Sequence, residues 1–291
     1  MPAQDMARAA NPDQVEYWNG PRGVQWVRLQ EELDQRLAPL LDLVLEPAII
    51  RPDQTVLDVG CGTGASLLSI SPLVGRGGRV TGIDIAAPLL ARARERLSQH
   101  AVGNVELIEA DAQIHPFGAV RYDAVVSRFG VMFFSDPVAA FGNLRTALRP
   151  GGHLGFVCWA ALERNPWLAL PLAVGERWLG PAEPQPPRAP GPLAFSEPDY
   201  VREILAAAGF TAVTIDRHAV ALTGAPTAED EARLACEVGP VARLIREREP
   251  APAVIEALLV EIARSFAPYA TDEGVRIPAG VFLVAASRPR G

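Results

Sequence analysis

The chain has 291 residues, and 49% of them are hydrophobic, which suits a large folded interior and not a disordered segment. A formal net charge of −7 argues against a surface that coats nucleic acid, and no apolar run approaches the roughly 18 residues that cross a bilayer. Since the first residues also lack the apolar stretch of a signal peptide, we expect a cytoplasmic protein without stable membrane insertion.

The N-terminal part, residues 1–50, is predicted to form a cap segment. Residues 1–23 are predicted to be irregular and end in the aromatic, glycine-rich sequence EYWNGPRG. The spacing of the apolar residues that follow predicts an amphipathic helix from Val24 to about Leu45, and Pro39 is a point at which this helix can break.

The middle of the chain alternates between two kinds of pattern. Short β-branched runs predict strands at 54–59, 79–84, 104–110, 121–127 and 152–158, with helices at about 64–74, 86–99 and 136–148 between them. Strands separated by helices of this length indicate right-handed βαβ units and a parallel sheet. Residues 51–159 are therefore predicted to be the α/β core.

After Trp159 the alternation stops. Residues 160–196 contain the proline-rich sequence GPAEPQPPRAPGP and are predicted to be a lid or insert. Residues 197–217 continue the core with a helix at about 197–208 and a strand at about 210–217. Residues 218–279 carry helices near 227–248 and 252–266 and are predicted to be a second, helical insert. Residues 280–291 hold the last strand, at 280–287, and a tail.

The sequence VLDVGCGTG at the first predicted strand contains three glycines, Gly60, Gly62 and Gly64. Glycine tolerates a positive φ and has no Cβ, so the backbone can turn sharply and approach a ligand closely. The next helix points its free N–H groups at the carboxyl ends of the strands, where open parallel sheets bind ligands. The spacing G-x-G-x-G, preceded by Asp58, differs from the G-x-G-x-x-G of dinucleotide-binding proteins.

Acidic residues follow at the ends of the next two predicted strands. Asp84, in RVTGIDIA, is placed to accept hydrogen bonds from both hydroxyls of a ribose; the alternative is an N-cap for the helix at 86–99. Asp111, in VELIEADAQ, is a common type of turn residue when it is considered alone. Three polar strand ends in succession favour one nucleoside ligand.

This succession of motifs resembles the class I S-adenosylmethionine (SAM)-dependent methyltransferases, closely over residues 54–158 and loosely over 197–217 and 280–287. The resemblance implies a Rossmann-like α/β fold: a mostly parallel seven-stranded sheet with helices on both faces, an antiparallel last strand, and an N-terminal and inserted helical cap. It implies SAM as cofactor and S-adenosyl-L-homocysteine (SAH) as product. In this family, the aspartate equivalent to Asp111 bonds the adenine amino group, and the N–H of the next residue, here Ala112, meets the ring. The implied cofactor-binding residues are Asp58, Gly60, Cys61, Gly62, Gly64, Asp84, Ile85, Asp111, Ala112 and Ser127.

The N-terminal sequence YWNG and its helix look like the caps of small-molecule branches of this family. These branches include the ubiquinone/menaquinone C-methyltransferases and their natural-product relatives. The resemblance implies in-line SN2 methyl transfer to a small, hydrophobic acceptor. We assign no catalytic base, because His115, which follows the third strand, fits a structural role better. The residues expected near the acceptor are Tyr17, Trp18, Arg128, Phe129 and Trp159, and Trp26 and Met132 are assigned to core packing.

Two alternatives remain open. An NAD(P)-dependent oxidoreductase is disfavoured by the glycine spacing and because all 27 basic residues are arginine, so that no Tyr-x-x-x-Lys pair exists. A non-methylating member of the same fold that binds SAM is compatible with the sequence. The three cysteines and four histidines are scattered, so we expect neither a disulfide nor a metal. We expect a small molecule and not nucleic acid as the partner, and a homodimer is kept open.

Overall fold

The computed structural model describes residues 10–45, 50–118 and 121–290, so the first nine residues of the predicted cap segment lie outside the described part. Within these ranges the centre is a sheet with the strand order β3-β2-β1-β4-β5-β8-β6, and β7 pairs with β8 beside this path. The strands are β1 Thr55–Val59, β2 Arg79–Asp84, β3 Val105–Glu109, β4 Tyr122–Arg128, β5 Leu148–Trp159, β6 Thr211–Thr223, β7 Ala270–Thr271 and β8 Gly274–Ser287.

Strands β1 to β5 are parallel to one another, and β8 is antiparallel to its neighbours β5 and β6. The chain runs from β1 outward to β3 and then returns to β4 on the other side of β1, so the strand order switches between β1 and β4. Ligands bind outside the carboxyl ends of the strands at such a point. The predicted α/β class, with a mostly parallel sheet and an antiparallel last strand, is confirmed.

Both faces of the sheet are covered, because neighbouring strand residues belong to different apolar clusters. Val56 and Val126 pack in one cluster with residues of the helices that follow β1 and β2, whereas Leu57 and Val125 pack in the other. Successive residues of a strand point to opposite faces, so each cluster marks one face. All four side chains are essentially inaccessible to solvent.

The helices differ from prediction mainly where prolines begin them. Pro12 and Pro21 occupy the first positions of α1 and α2, where the missing N–H has no partner to lose. The prediction that residues 1–23 are irregular is therefore wrong from Pro12 onward. The helix predicted from Val24 is two helices, α2 and α3, and Pro39 lies within α3 without ending it. The helices are α1 Pro12–Asn19, α2 Pro21–Arg28, α3 Gln30–Val44, α4 Ala65–Val74, α5 Ala87–Gln99, α6 Pro137–Ala147, α7 Pro166–Leu179, α8 Pro198–Ala207, α9 Ala228–Glu237, α10 Pro240–Arg248 and α11 Pro252–Phe266.

The two inserts contain more regular structure than predicted. The first, 160–196, holds the helix α7 before its proline-rich part, and the helix predicted at 227–248 is divided into α9 and α10. Strands β6 and β8 extend well beyond 210–217 and 280–287, because they pair with each other from Thr211 to Thr223. The boundaries of the predicted segments as separate units stay a prediction.

A buried ion pair joins the N-terminal helices to the second insert. Arg36 of α3 donates to both carboxylate oxygens of Glu231 of α9, at 2.5 and 2.6 Å, and both side chains are 1% exposed. Around it, α2 and α3 residues such as Leu33 pack against Leu234 and Val238. The N-terminal helices and the helical insert therefore form one packed cap.

Candidate active site

The glycine turn after β1 has the geometry that its sequence predicts. Gly60, Gly62 and Gly64 have φ values of +71°, +52° and +83°, in the left-handed region that favours glycine. A Cβ on Gly60 would lie 2.6 Å from the Cα of Gly130, which follows the end of β4. The tips of β1 and β4 thus approach so closely that only glycine fits, and the turn leads directly into α4.

Asp84, at the end of β2, is hydrogen-bonded to this turn. Its Oδ2 accepts a hydrogen bond from the backbone N–H of Gly62 at 2.8 Å, and its Oδ1 accepts one from Ala86 at 2.9 Å. Burial raises the pKa of its carboxyl, and the backbone donors act in the opposite direction. The residue borders the cavity described below, and the N-cap of α5 is Ala86, so the alternative role of Asp84 as that N-cap is not observed.

Two predicted cofactor residues lie behind the turn and support it. Asp58 is 1% exposed and accepts a hydrogen bond from the hydroxyl of Ser66 in α4; burial raises its pKa to about 7. Ser127 is fully buried, donates to the carbonyl of Val59 at 2.7 Å and accepts from the N–H of Gly130 at 3.0 Å. Their polar atoms therefore hold the strand tips in position, and direct cofactor binding by either residue stays a prediction.

The end of β3 meets the N-terminal segment. Asp111 is 8% exposed, borders the cavity and accepts hydrogen bonds from the backbone and side chain of Asn11, which directly precedes α1. Ala112 and Ile85 also line the cavity, and Cys61 lies in the turn with a thiol pKa that burial raises. The structure thus brings the three predicted strand ends to one place.

A cavity of about 970 Å³ opens beside these strand tips. All five residues expected near the acceptor line it: Tyr17, Trp18, Arg128, Phe129 and Trp159. The Phe129 and Trp159 rings stack with centroids 4.2 Å apart and planes 7° apart. Phe129 has a φ of +65°, a strained value for a residue with a side chain, and such strain concentrates at functional sites.

The second aromatic group of the cavity centres on Trp18. Its ring makes edge contacts with Tyr17, Trp26 and Phe133, at centroid distances of 5.3 to 5.7 Å. Met132 is 1% exposed, as its assignment to the core predicts, but both Met132 and Trp26 also border the cavity.

Sequence reasoning missed several cavity residues. Phe133, Trp167 and Leu244 line it, as do residues of the proline-rich segment at 185–194. One signal was available for Asn11 and Trp167: Asn11-Pro12 and Asn165-Pro166 are asparagine-proline pairs of the kind that begins a helix. For the proline-rich segment the sequence predicts a lid or insert, but not which of its residues line the cavity, because their positions depend on packing against distant residues.

Arg128 is a partly buried cation whose polar contacts are long. Its guanidinium donates to the carbonyl of Leu37 at 3.5 Å and lies 3.7 Å from the Asp34 carboxylate. The same carboxylate forms a shorter ion pair, of 2.8 Å, with Arg96. Burial lowers the pKa of Arg128, and the Asp34 carboxylate acts in the opposite direction. Its guanidinium therefore retains hydrogen-bonding capacity toward a ligand in the cavity.

Other predicted features are reported only for the described ranges. His115 lies against Phe117 and does not line the cavity, and burial lowers its pKa. Within those ranges, no group of three or more His, Cys, Asp or Glu side chains is arranged to hold a metal ion. No helix of the described part combines the length and apolar character that a bilayer crossing requires.

Comparison with known proteins agrees with this geometry. Residues 56–152 match the protein family described as methyltransferase domain. The chain is 33% identical over 200 residues to nocamycin O-methyltransferase of Saccharothrix syringae, covering 65% of this chain and 69% of that protein. It is 39% identical over 106 residues to the ubiquinone/menaquinone biosynthesis C-methyltransferase UbiE of Klebsiella pneumoniae, covering 36% of this chain and 42% of that one.

Solved structures share the fold at lower identity. The [4+2]-cyclase SpnF superposes with a TM-score of 0.56 at 20% identity, covering 92% of this chain and 96% of its own. Phosphoethanolamine N-methyltransferase 2 of Haemonchus contortus, in complex with SAH, gives a TM-score of 0.53 at 18% identity, over 95% of this chain and 59% of its own. The chain belongs to the SAM-dependent methyltransferase family, although it spans less than half the length of UbiE.

Proposed function

We propose that this protein transfers the methyl group of SAM to a small, hydrophobic molecule. One observation carries the proposal: a single cavity is lined both by the glycine turn and Asp84, here named the cofactor end, and by the stacked Phe129–Trp159 pair, which belongs to what is here named the acceptor end. Its volume of about 970 Å³ is at the upper end of the range for ligand cavities, which supports two ligands lying side by side.

The residues of the cofactor end fit an adenosyl ligand. Each carboxylate oxygen of Asp84 accepts one backbone hydrogen bond and keeps further acceptor capacity, so two ribose hydroxyls can be bound. The turn at Gly60 and Gly62 lets a ligand approach the backbone without meeting a Cβ. When bound, SAM supplies an electrophilic methyl group on a sulfonium centre and leaves as neutral SAH.

The acceptor end is suited to hold a flat apolar molecule in one orientation. Trp18 and the Phe129–Trp159 pair offer aromatic surfaces that exclude water, and Arg128 can orient an anionic group. Holding a nucleophile in line contributes on the order of 7–11 kcal/mol in well-oriented systems. The acceptors in the names of two relatives, nocamycin and aklanonic acid, support a small-molecule acceptor here.

The compartment and the assembly are part of the proposal. The three cysteines Cys61, Cys158 and Cys236 are free, which is consistent with the reducing environment of the cytoplasm.

We keep the homodimer as the assembly to test, by light scattering of the purified protein. A single species at the mass of one chain would exclude it.

A second candidate is a SAM-binding protein of this fold that catalyses a different reaction. The observation that favours it is the likeness in fold to SpnF, which is named a [4+2]-cyclase. The family membership makes methyl transfer the first choice over this alternative and over an NAD(P)-dependent oxidoreductase.

Two measurements test the proposal. Titration with SAH and with NAD distinguishes the cofactors: SAH at 100 times its Kd should stabilise the fold by about 2.7 kcal/mol, and NAD should have no effect. Asp84→Ala should remove most of this stabilisation, because it deletes the acceptor for both hydroxyls. An Asp84→Ala variant that binds SAH as well as the wild type does would refute the role of Asp84 in ribose binding.

Methyl transfer itself is tested with SAM that carries a labelled methyl group. The purified protein is incubated with a panel of phenolic, quinone and carboxylic aromatic compounds, and label in the organic extract is counted against the Asp84→Ala variant. Label on at least one compound with the wild type alone is the expected result. Tight SAH binding without label on any compound of the panel or of a cell extract would favour the non-methylating alternative.

A further inference from the structure

Arg128 is a cation of the cavity wall that its protein neighbours contact only weakly. Its side chain is 15% exposed, so it has lost most of its contact with water. Its polar contacts, 3.5 Å to the Leu37 carbonyl and 3.7 Å to the Asp34 carboxylate, are longer than the roughly 2.7–3.2 Å of ordinary N–H···O hydrogen bonds. A partly desolvated cation with weak contacts is stabilised by an anion that reaches it through the cavity.

The Asp34 carboxylate is bound more closely by other groups than by Arg128. Its Oδ2 accepts from Gln30 Nε2 at 2.7 Å and pairs with Arg96 at 2.8 Å, whereas Arg128 lies 3.7 Å from Oδ1. Arg96 also donates to the carbonyl of Thr63, in the glycine turn, at 2.8 Å. These contacts link Asp34 to the turn, and they leave the charge of Arg128 only partly compensated.

The other arginines of the cavity wall have closer partners. Arg188 and Arg243 each pair with a glutamate, at 3.0 and 2.5 Å. Arg22 donates three hydrogen bonds of 2.5 to 3.1 Å, to Tyr17, to Gln25 and to a backbone carbonyl. Among the arginines that line the cavity in the described part of the chain, Arg128 therefore keeps the most hydrogen-bonding capacity for a ligand.

Aromatic surface adjoins this cation. Arg128 is the last residue of β4, and the next residue is Phe129, whose ring stacks on Trp159. Val126 pairs with Asp58 of β1, so Arg128, two residues further along, lies level with the start of the glycine turn. A ligand in the acceptor end therefore meets a guanidinium beside flat apolar surfaces. A flat molecule that carries one carboxylate matches this combination.

We infer that Arg128 is the anion-binding residue of the acceptor end, and that the acceptor of this enzyme is a flat, apolar acid that is bound as its anion. The inference rests on the proposed function and narrows it from hydrophobic molecules in general to those with an ionised carboxyl or an equally acidic oxygen group. Such an anion is attracted both by Arg128 and by the sulfonium charge of bound SAM. A neutral molecule of the same shape leaves the charge of Arg128 uncompensated and is bound more weakly.

The first experiment uses two fluorescent probes that differ only in an anionic group. 1-Anilinonaphthalene-8-sulfonate carries a sulfonate, and N-phenyl-1-naphthylamine has the same ring system without it. Both are titrated into the protein with SAH at saturation, so that the cofactor end is occupied. Arg128→Gln should weaken binding of the sulfonate roughly tenfold and change binding of the neutral probe by less than about twofold. Equal changes for the two probes would overturn the inference.

Two further variants make this comparison specific. Arg22→Gln is the matched control, because Arg22 also lines the cavity but its donors are already engaged. It should leave the ratio of the two probe affinities unchanged. Arg128→Lys keeps the charge and should retain most of the preference for the sulfonate that Arg128→Gln loses. A loss of sulfonate binding in Arg22→Gln and not in Arg128→Gln would refute the assignment of Arg128.

The methionine part of SAH is a second source of a carboxylate, and a further titration separates the two sources. 5′-Methylthioadenosine has the nucleoside and the sulfur of SAH but lacks the amino acid part. The inference predicts that Arg128→Gln changes the affinities for both compounds by the same factor, within about twofold. A loss of affinity for SAH alone would show that Arg128 binds the carboxylate of the cofactor, and that result would overturn the inference.

The third experiment tests the acceptor class with methyl-labelled SAM. Aromatic carboxylic acids are compared with their carboxamides, which have nearly the same shape without the charge. Label should enter acids and not the matched amides, and Arg128→Gln should raise KM for the acid while the SAH affinity is kept. Transfer to neutral compounds with no transfer to any acid would contradict the inference. This comparison needs only the wild type, so it also decides the question if Arg128→Gln does not fold.

The failures are distinguishable. If the wild type does not bind SAH, the proposed function is wrong. If the wild type binds SAH and methylates neutral compounds alone, the proposed function stands and the acid class is refuted. If the wild type binds SAH and transfers no label, methyl transfer is in question, while the two probes still test the anion site at Arg128.

Discussion

The two ends of the cavity are built in different ways. The cofactor end consists of the turn at 60–64 and the tip of β2, where backbone groups and one carboxylate converge within a short stretch of chain. The acceptor end gathers side chains from α1, the tips of β4 and β5, the proline-rich segment and α10, which are far apart in sequence. Because the two ends depend on different segments, acceptor choice can change while the cofactor site stays the same.

The largest expected effect concerns the cap beside the acceptor end, where the Arg36 guanidinium lies over the ring of the cavity residue Trp167. Glu231→Gln leaves Arg36 as a buried charge without its partner, which should reduce the free energy of unfolding by about 3–5 kcal/mol. Since this pair joins the N-terminal helices to the second insert and makes no contact with the glycine turn, the SAH affinity of the folded fraction should change less than threefold. Chemical denaturation and SAH titration below the unfolding transition measure both quantities.

The control for this substitution replaces both charges. Arg36→Met with Glu231→Leu removes the buried charges together and should recover much of the lost stability. A Glu231→Gln variant with near wild-type stability would show that the ion pair does not stabilise the cap. A variant that loses SAH binding in the folded state would show that the two ends are not separate.

The next effect concerns the cofactor end. Gly60→Ala forces a Cβ within 2.6 Å of the Gly130 backbone and requires a positive φ from alanine, so it should reduce stability by about 3 kcal/mol and abolish SAH binding. Gly75→Ala is the matched control, because Gly75 has a similar φ of +68° but open space around it. It should cost about 1 kcal/mol and leave the SAH affinity unchanged, and equal effects of both variants would contradict the close approach of the strand tips.

The same division explains what the sequence could predict. Gly60, Asp84 and the strand order around them follow from local patterns, because a strand, a turn and a helix are encoded within about 30 residues of chain. The Asn165-Pro166 pair indicates where α7 begins, and the prolines predict a lid or insert. The places of Trp167 and of the proline-rich segment in the cavity wall, however, depend on packing between distant elements. The prediction of an irregular segment at 1–23 overlooked a local signal, because Pro12 and Pro21 each occupy the first turn of a helix.

A smaller effect follows from the charge beneath the cofactor end. Burial raises the pKa of Asp58 from an ordinary value of 3.8 to about 7, so between these values the folded state holds a proton that the unfolded state has lost. Stability from this group is therefore present at low pH and is lost as the pH rises toward 7. Asp58→Asn should remove this dependence. The free energy of unfolding of the variant minus that of the wild type should therefore increase by on the order of 2 kcal/mol between pH 5 and pH 8. Urea denaturation at both values measures it, and a pH-independent difference would show that Asp58 is not perturbed.

The smallest expected effect concerns the aromatic stack of the acceptor end. Phe129→Leu keeps the strained backbone but loses the stack on Trp159, which should cost about 1 kcal/mol of stability and lower kcat/KM for the acceptor. Phe129→Gly and Phe129→Ala both lose the packed ring, but only glycine relieves the strain at a φ of +65°, so the glycine variant should be about 1 kcal/mol more stable than the alanine variant, with equally poor acceptor kinetics. SAH affinity should be unchanged in all three variants, since no polar contact of the cofactor end involves this side chain. A parallel loss of SAH affinity and acceptor kinetics would place Phe129 in both ends and remove the distinction between them.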